Sequence, residues 1–250
     1  MRLDQAVAAR YPDVSRRNAR ELIAARRVLV NDRVVGISSR EVAESDRVTL
    51  INAVPDIAVI AEQQDWIAVD KPAAMPTTPP EDRKLRSLEE LLRIRFRELY
   101  VVHRIDTNTT GLVVFAKSRA AAAKLSALFA QGAIRKWYLG VAHGEIASEV
   151  TISSPVGGKS ALTIVRPLAA ADNLTLVEAE IRTGRMHQIR IHLRSIGHPI
   201  MGDPRYGAPP SAAGRPMLHA WRLEHELLGR LEAPLPDDLI RCAPPWKPTT

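Results

Sequence analysis

The stretch His103-Arg-Ile-Asp-Thr-Asn-Thr-Thr-Gly-Leu-Val-Val-Phe-Ala-Lys117 holds a charged tetrad, a threonine-rich turn ending in Gly111, and an apolar run. Leu112–Ala116 has the length and composition of a buried strand. Asp106 therefore belongs to a loop that leads into the core. Rigid elements hold such a loop while its side chains reach outward, which suits a reactive group. An aspartate in a turn before a strand is also common without any chemistry attached. Here His103 and Arg104 add polar groups beside it, and residues 112–124 contain no acid.

Working outward, the 250-residue chain is long enough for one large domain or two. Its 35 Lys+Arg against 28 Asp+Glu give a net charge of +7, a balance that suits a polyanionic partner. The single cysteine, Cys242, excludes an intrachain disulfide and a cysteine-based zinc cluster. Arg2, Asp4 and Arg10 interrupt the first apolar runs, so the N-terminus does not read as a secretory signal. No apolar run approaches the roughly 18 residues that cross a bilayer. The expectation is a soluble, cytoplasmic, monomeric protein with no membrane contact.

Upstream, residues 3–10 read as a short helix broken at Pro12-Asp13. Ser15 is a natural cap for a second helix to about Arg26. Residues 15–27 hold five arginines against one acid, Glu21. Arg16 and Arg20 are four apart and share a helix face. Short strands follow near Val28–Val30 and Val48–Ile51, with a turn at Asn31-Asp32. A basic helical hairpin is often just a solvated surface, but guanidinium groups also pair bidentately with phosphate. Arg16, Arg17 and Arg20 are the candidates for RNA contact. Asn52–Asp56, containing Pro55, reads as a linker.

Downstream, Ile57–Ala61 and Trp66–Val69 read as strands, followed by Asp70-Lys71-Pro72 and a proline-rich loop. Ser87 and Glu90 have capping-box spacing, predicting a helix from Leu88 to about Leu99. Ser118 caps an alanine-rich helix that Gly132 ends. Residues 134–142, 161–167, 174–181 and Met217–Leu223 read as strands, and Met186–Ile196 as a short helix. Arg190 and Arg194 are four apart on it, away from the Ile189, Leu193 and Ile196 face. His187, His192 and His198 invite a metal reading. His187 and His192 are five apart, about 140° around a helix, so they point to different faces. No metal is expected, and hydrogen bonding is the expected role of these histidines. Short strands broken by few helices suggest an α+β fold with a largely antiparallel sheet.

His103–Lys117 resembles the active-site signature of the RluA-type RNA pseudouridine synthases: His-Arg-Leu-Asp, two variable residues, Thr-Ser-Gly, an apolar run, then Ala-Lys. Ile105 and Thr110 are mild departures. The same family's other segments are resembled in order. They are the lysine–proline segment at Lys71-Pro72, Lys-x-Tyr at Lys136–Tyr138, Thr-Gly-Arg-x-His-Gln-Ile-Arg at Thr183–Arg190, Gly-His-Pro-Ile-x-Gly-Asp at Gly197–Asp203, and Leu-His-Ala at Leu218–Ala220. Ala74 stands where the family has glycine. Residues 1–52 resemble the S4-type RNA-binding module, with Arg26 and Asp32 at positions usually occupied by glycine.

The resemblance implies a small α/β S4-like domain over residues 1–52, a linker at 53–57, a pseudouridine-synthase-like catalytic domain over 58–242 with a mixed, largely antiparallel sheet, and a loose tail over 243–250. It implies isomerisation of uridine in a structured RNA, ribosomal RNA first and tRNA second. A non-catalytic RNA-binding or ribosome-assembly factor on the same scaffold is the alternative. The reaction breaks and remakes a bond to the base of a nucleotide flipped out of its stack, and needs no cofactor. Asp106 is the implied catalytic carboxylate. A dry pocket opposes its charge, so a cation is needed, and Arg185 is the candidate. Tyr138 would stack on the base and help proton transfer. Arg104 would fill the gap left by the flipped nucleotide. His103, Lys71, Lys136 and Arg190 join the three N-terminal arginines as RNA-binding candidates.

Overall fold

The computed structural model describes residues 1–24, 26–31, 33–50, 57–81, 86–96 and 98–246. Most of the expected linker, half of the Asn31-Asp32 turn and the last four residues of the expected tail lie outside these. The chain forms two compact units: residues 1–56 with 76–99, and 57–75 with 100–250. Segment 76–99 thus groups with the N-terminal unit, interrupting the continuous 58–242 domain expected from sequence.

In the first unit, α1 (Leu3–Arg10) and α2 (Arg16–Ala24) accompany a small sheet of β1 (Val28–Val30), β2 (Arg33–Val34) and β3 (Val48–Leu50), ordered β2-β1-β3. Leu3, Val7, Ala19, Ile23, Val28, Val30 and Val48 form its core. Ser15 caps α2 as expected, its hydroxyl accepting from the Asn18 amide at 3.1 Å. Arg26 stands at φ 55°, so the chain keeps a left-handed turn at one of the glycine positions of the resemblance. In α3 (Leu88–Arg95) the capping box forms as predicted: Ser87 Oγ accepts from the Glu90 amide and Glu90 accepts from the Ser87 amide. The helix ends four residues earlier than expected. Phe96 turns to extended backbone, and Arg93 donates to the Leu99 carbonyl at 2.6 Å, stabilising the exit.

The second unit is built on a mixed sheet. Its strands are β4 (Val59–Glu62), β5 (Trp66–Lys71), β6 (Tyr100–Val101), β7 (Thr110–Ala116), β8 (Arg135–His143), β9 (Val150–Ile152), β10 (Thr163–Ala171), β11 (Leu174–Ile181), β12 (Leu218–His225) and β13 (Gly229–Glu232). The main order is β4-β5-β7-β12-β8-β11-β10-β9, with β6 on β7 and β13 on β12. Every pairing between these strands is antiparallel except β7–β12, which is parallel and lies in mid-sheet. All seven residues of β7 are buried, as its uninterrupted apolar run requires. Helices α4 (Arg119–Ala130), α5 (Gln188–Ser195) and α6 (Asp237–Cys242) complete the unit.

Gly111 is indispensable to the parallel crossing. Its φ is 109°, and a Cβ there would meet the Ala220 carbonyl oxygen at 2.2 Å. The register sets Gly111 against Ala220, and Ala220 against Tyr138. Glycine and alanine in that row let the strands close and leave Tyr138 the only bulky side chain of the three.

The C-terminal segment is not the loose tail expected over 243–250, as far as it is described. Ala243 and Trp246 pack on the cluster of Val141, Leu176, Met217 and Leu239, and Trp246 meets Trp221 edge-on at 6.4 Å. An indole that can cover an apolar cluster is worth more there than in solvent. Among the described residues, no helix is long and apolar enough to cross a membrane.

Candidate active site

The loop before β7 is held from several sides by its own backbone. Lys71, at the end of β5, is fully buried, and its Nζ donates to the carbonyls of Pro72 (2.9 Å), Met75 (2.7 Å) and Thr107 (2.9 Å). Arg215 reaches the Asn108 carbonyl at 3.4 Å and the Leu218 carbonyl at 3.1 Å, while Asp238 holds it bidentately at 2.7 and 2.8 Å. Asp106 itself accepts the Thr109 amide on its backbone carbonyl at 3.1 Å. Ala74 takes φ 57° in the Lys71 loop, again a left-handed residue where the family has glycine. Burial, partly opposed by the charge of Asp106, pushes the Lys71 ammonium down to about 7.

Asp106 leaves this loop into an open cleft lined by Arg104, Thr109, Tyr138, Arg185, His187 and Arg190, among others. Its Oδ2 accepts from Arg190 Nη1 at 3.1 Å. The same guanidinium grips buried Asp203 bidentately, at 2.6 and 2.9 Å. Arg190 is therefore fixed before any ligand arrives, and one edge of it faces Asp106. Its plane also lies over the Tyr206 ring, 4.9 Å from the centroid. His187 Nε2 lies 3.8 Å from the same Asp106 oxygen. Tyr138 projects from β8 into the cleft. Burial, with the Asp106 charge adding to it, pushes its phenol well above the usual range, so it stays protonated.

The counter-charge of Asp106 is thus Arg190, not Arg185 as expected. The reason is where the helix starts. It begins at Gln188 rather than Met186, leaving Arg185 in the preceding turn, where its Nε donates to the Ser160 carbonyl at 3.0 Å. Gln188 pins that turn: its side-chain oxygen accepts from Thr183 Oγ1 at 2.6 Å and from the Arg185 amide at 3.1 Å. Arg185 remains at the cleft but is turned toward Ser160.

Other RNA-binding expectations also change. Lys71 is saturated by carbonyls and faces no solvent. Lys136 is buried and donates to the Ile134 carbonyl at 3.2 Å. The His103 ring stacks on Phe129, centroids 4.1 Å apart, and Nε2 accepts from the Val114 amide at 2.9 Å. Burial, then the Lys136 charge, drops its pKa to about 3, leaving a neutral acceptor for the strand. Arg104 stays exposed at the cleft. In the first unit, Arg16 and Arg20 donate to buried Asp4 at 3.1 and 2.8 Å yet stay about half exposed, while Arg17 is 89% exposed beside Glu21. The histidines of the metal reading have separate partners: Tyr206 for His187, Thr163 and Ser154 for His192, and the His143 carbonyl for His198.

Tyr206 and Arg215 escaped the sequence reading, Asp203 entered it only as the end of a motif, and His187 was expected to hydrogen-bond but was given no place in the site. Its spacing of three from Arg190 suggests a shared helix edge, but His187 stands in left-handed backbone just before α5, so tertiary contacts rather than that spacing bring it to Asp106. Asp203 closes the Gly-His-Pro-Ile-Met-Gly-Asp segment, but nothing local says that it reaches back thirteen residues to Arg190.

Residues 65–195 match the family described as RNA pseudouridylate synthase, and residues 1–48 match the S4 domain. A ribosomal large subunit pseudouridine synthase D of Nitrosomonas europaea is 33% identical, over 96% of this chain and 82% of its own length. An uncharacterized RNA pseudouridine synthase of Bacillus subtilis is 32% identical over 80% of this chain and 75% of its own. The solved structure of human RNA Pseudouridylate Synthase Domain Containing 1 superposes with a TM-score of 0.62 at 27% identity, covering 80% of this chain and 93% of that one.

Proposed function

The chain belongs to the RNA pseudouridylate synthase family and is an RNA-modifying isomerase, and we propose that it isomerises uridine in large-subunit ribosomal RNA with Asp106 as its catalytic carboxylate. The observation that carries the reading is the Asp106–Arg190 pair, with its cation braced on buried Asp203, standing in an open cleft beside Tyr138. A carboxylate whose counter-charge is fixed beforehand can act on the flipped nucleotide without waiting for a cation to move. Two features support the ribosomal target: the S4 domain ahead of the catalytic unit, and relatives named for the ribosomal large subunit.

Each residue has a part in this reading. Asp106 attacks or stabilises the sugar or base while the glycosidic bond is open. Arg190 supplies the charge that the sequence reading had assigned to Arg185. Tyr138 offers a flat ring for the uracil. Because its hydroxyl stays protonated, it can hand on a proton only while accepting another, as a relay rather than a base. Exposed Arg104 enters the space left in the RNA stack, and Arg185 contacts the backbone from the cleft rim. Arg16, Arg17 and Arg20 bind phosphate. The test is a map of pseudouridines in total RNA from cells with and without this protein. Loss of a site in large-subunit ribosomal RNA is the expected result. Loss confined to tRNA would reassign the substrate.

A further inference from the structure

The roles above leave one part of the cleft unused: the turn that delivers His187. This residue adopts left-handed backbone, φ 57° and ψ 23°, immediately before α5. L-side chains rarely adopt that conformation, and it recurs where a side chain must be aimed. The aim is specific at both ring nitrogens. Nδ1 lies 2.8 Å from the Tyr206 hydroxyl, and the two rings meet edge-to-face at 5.6 Å and 80°. Nε2 lies 3.8 Å from Asp106 Oδ2. Tyr206 is held in turn by the Arg190 guanidinium over its ring, and Arg190 bonds the same Asp106 oxygen. The four side chains close a circuit.

Electrostatics choose the tautomer. The charged groups facing His187 are Asp106, Asp203, Arg190 and Arg205; burial, helped by the two arginines and opposed by the two carboxylates, lowers its pKa. The imidazole is neutral, with one N–H and one bare nitrogen. A bare Nε2 would turn its lone pair toward a carboxylate oxygen. An Nε2–H turns a donor toward it and frees Nδ1 to accept the Tyr206 O–H. Only the second arrangement satisfies both contacts.

We propose that Tyr206 locks His187 as its Nε2–H tautomer, making His187 a positioning residue that closes on Asp106 Oδ2 when RNA binds. Arg190 and His187 then both occupy Oδ2, and Oδ1 is the oxygen presented to the target nucleotide. The contact is long for a hydrogen bond in the free protein, as such contacts often are before the substrate complex forms. This rests on Asp106 being the catalytic carboxylate.

Two measurements on the full chain decide it. The first needs no activity. Long-range ¹H–¹⁵N spectra, with the His187 signal assigned by its loss in His187→Gln, should show the Nε2–H tautomer in the wild type and a redistribution toward Nδ1–H in Tyr206→Phe. An Nδ1–H tautomer in the wild type overturns the proposal. The second is tritium release from an unmodified large-subunit ribosomal RNA transcript labelled at uridine C5. Tyr206→Phe and His187→Gln should each lower kcat about tenfold, the worth of one positioned hydrogen bond, with KM within about twofold. Unchanged kcat, or loss confined to KM, also overturns it. Should His187→Gln fail to fold, Tyr206→Phe carries the kinetic arm alone. A wild-type protein inactive on this RNA would refute the ribosomal assignment, while the spectra would still decide the tautomer.

Discussion

Asp4 and Asp106 are both aspartates held by arginine, one in each unit, and they are held to opposite ends. Asp4 is fully buried and takes three guanidinium groups on its two oxygens, from Arg2, Arg16 and Arg20. Asp106 is 24% exposed, and among the described residues its arginine contact, from Arg190, falls on Oδ2. A saturated carboxylate has nothing left to offer a substrate. What it does is hold cations in place, at the root of side chains whose outer halves stay in solvent. A carboxylate engaged on one oxygen keeps the other for chemistry. The braced partner is on the far side: Asp203 is the saturated one in that pair, and it fixes Arg190 so that Asp106 need not be buried. In the proposed reading the same two residue types build a phosphate-binding face in one unit and a reactive group in the other, and burial separates the two outcomes.

The largest effect that would sharpen this contrast is on Asp106. Asp106→Asn should lower pseudouridine formation by about 10⁴-fold or more, as loss of a reacting group does, with RNA affinity by filter binding and the melting temperature nearly unchanged. A melting temperature that fell sharply would show Asp106 to be structural, as Asp4 is. Next comes Arg190→Lys. An ammonium cannot bridge Asp203 bidentately and still reach Asp106, so kcat should fall about a hundredfold, some 3 kcal/mol, measured by single-turnover tritium release. Retained turnover would mean that Arg185 or another cation serves.

Asp4→Asn should act through stability. It leaves three arginines unpaired, but they are half-exposed and can hydrate, so about 2 kcal/mol is expected, less than for breaking a fully buried pair. RNA affinity should fall with it, while kcat at saturating RNA should hold. The pH dependence has a definite sign. Burial raises the Asp4 pKa, but hydrogen bonds from Arg20 and Arg16 and the arginine charges outweigh it, and its carboxyl lies far below the ordinary value of 3.8. Its stabilisation is therefore complete above pH 3.8 and lost as the pH falls toward the folded value. His103 and His219 add an earlier loss. Burial depresses both from 6.5, to about 3 and about 4, so the unfolded chain binds their protons first and stability declines as pH drops below 6.5. Thermal melts at pH 7.5, 5 and 2.5 in wild type and Asp4→Asn would separate the two contributions. The smallest effect is expected of Arg17→Ala, a side chain 89% exposed and paired, among the described residues, with Glu21. Stability should change by less than about 0.5 kcal/mol, and the slope of RNA affinity against salt should drop by about one unit.

Local pattern carried much of the fold. The buried strand after Gly111, the capping box at Ser87 and Glu90, the cap at Ser15 and the antiparallel strands are each specified by a few consecutive residues. Such signals depend on backbone hydrogen bonds and side-chain periodicity, which neighbours in sequence satisfy. The motif residues Asp106 and Tyr138, singled out by the family resemblance, line one cleft. The reading failed where a side chain's partner is distant. Lys136 reads as an RNA contact and is buried, because its strand is enclosed between β11 and β12. Lys71 looked like an RNA contact, yet three carbonyls from two loops surround it. Trp246 looked like part of a tail and packs onto Trp221.

The choice between Arg185 and Arg190 shows the boundary most clearly. Both are arginines in one nine-residue segment; a carboxylate in a cleft calls for a cation, and the family resemblance points to this segment for it. Which arginine it is was decided by a helix beginning at Gln188, whose side chain ties down Thr183 and the Arg185 amide, and by Asp203 arriving from beyond the helix to orient Arg190. The Gln188 contacts are local, within five residues, but Asp203 is thirteen residues from Arg190 and Asp106 is eighty-four. The Arg190–Asp106 pair exists only once the sheet has brought the two segments together, so no local pattern could announce it.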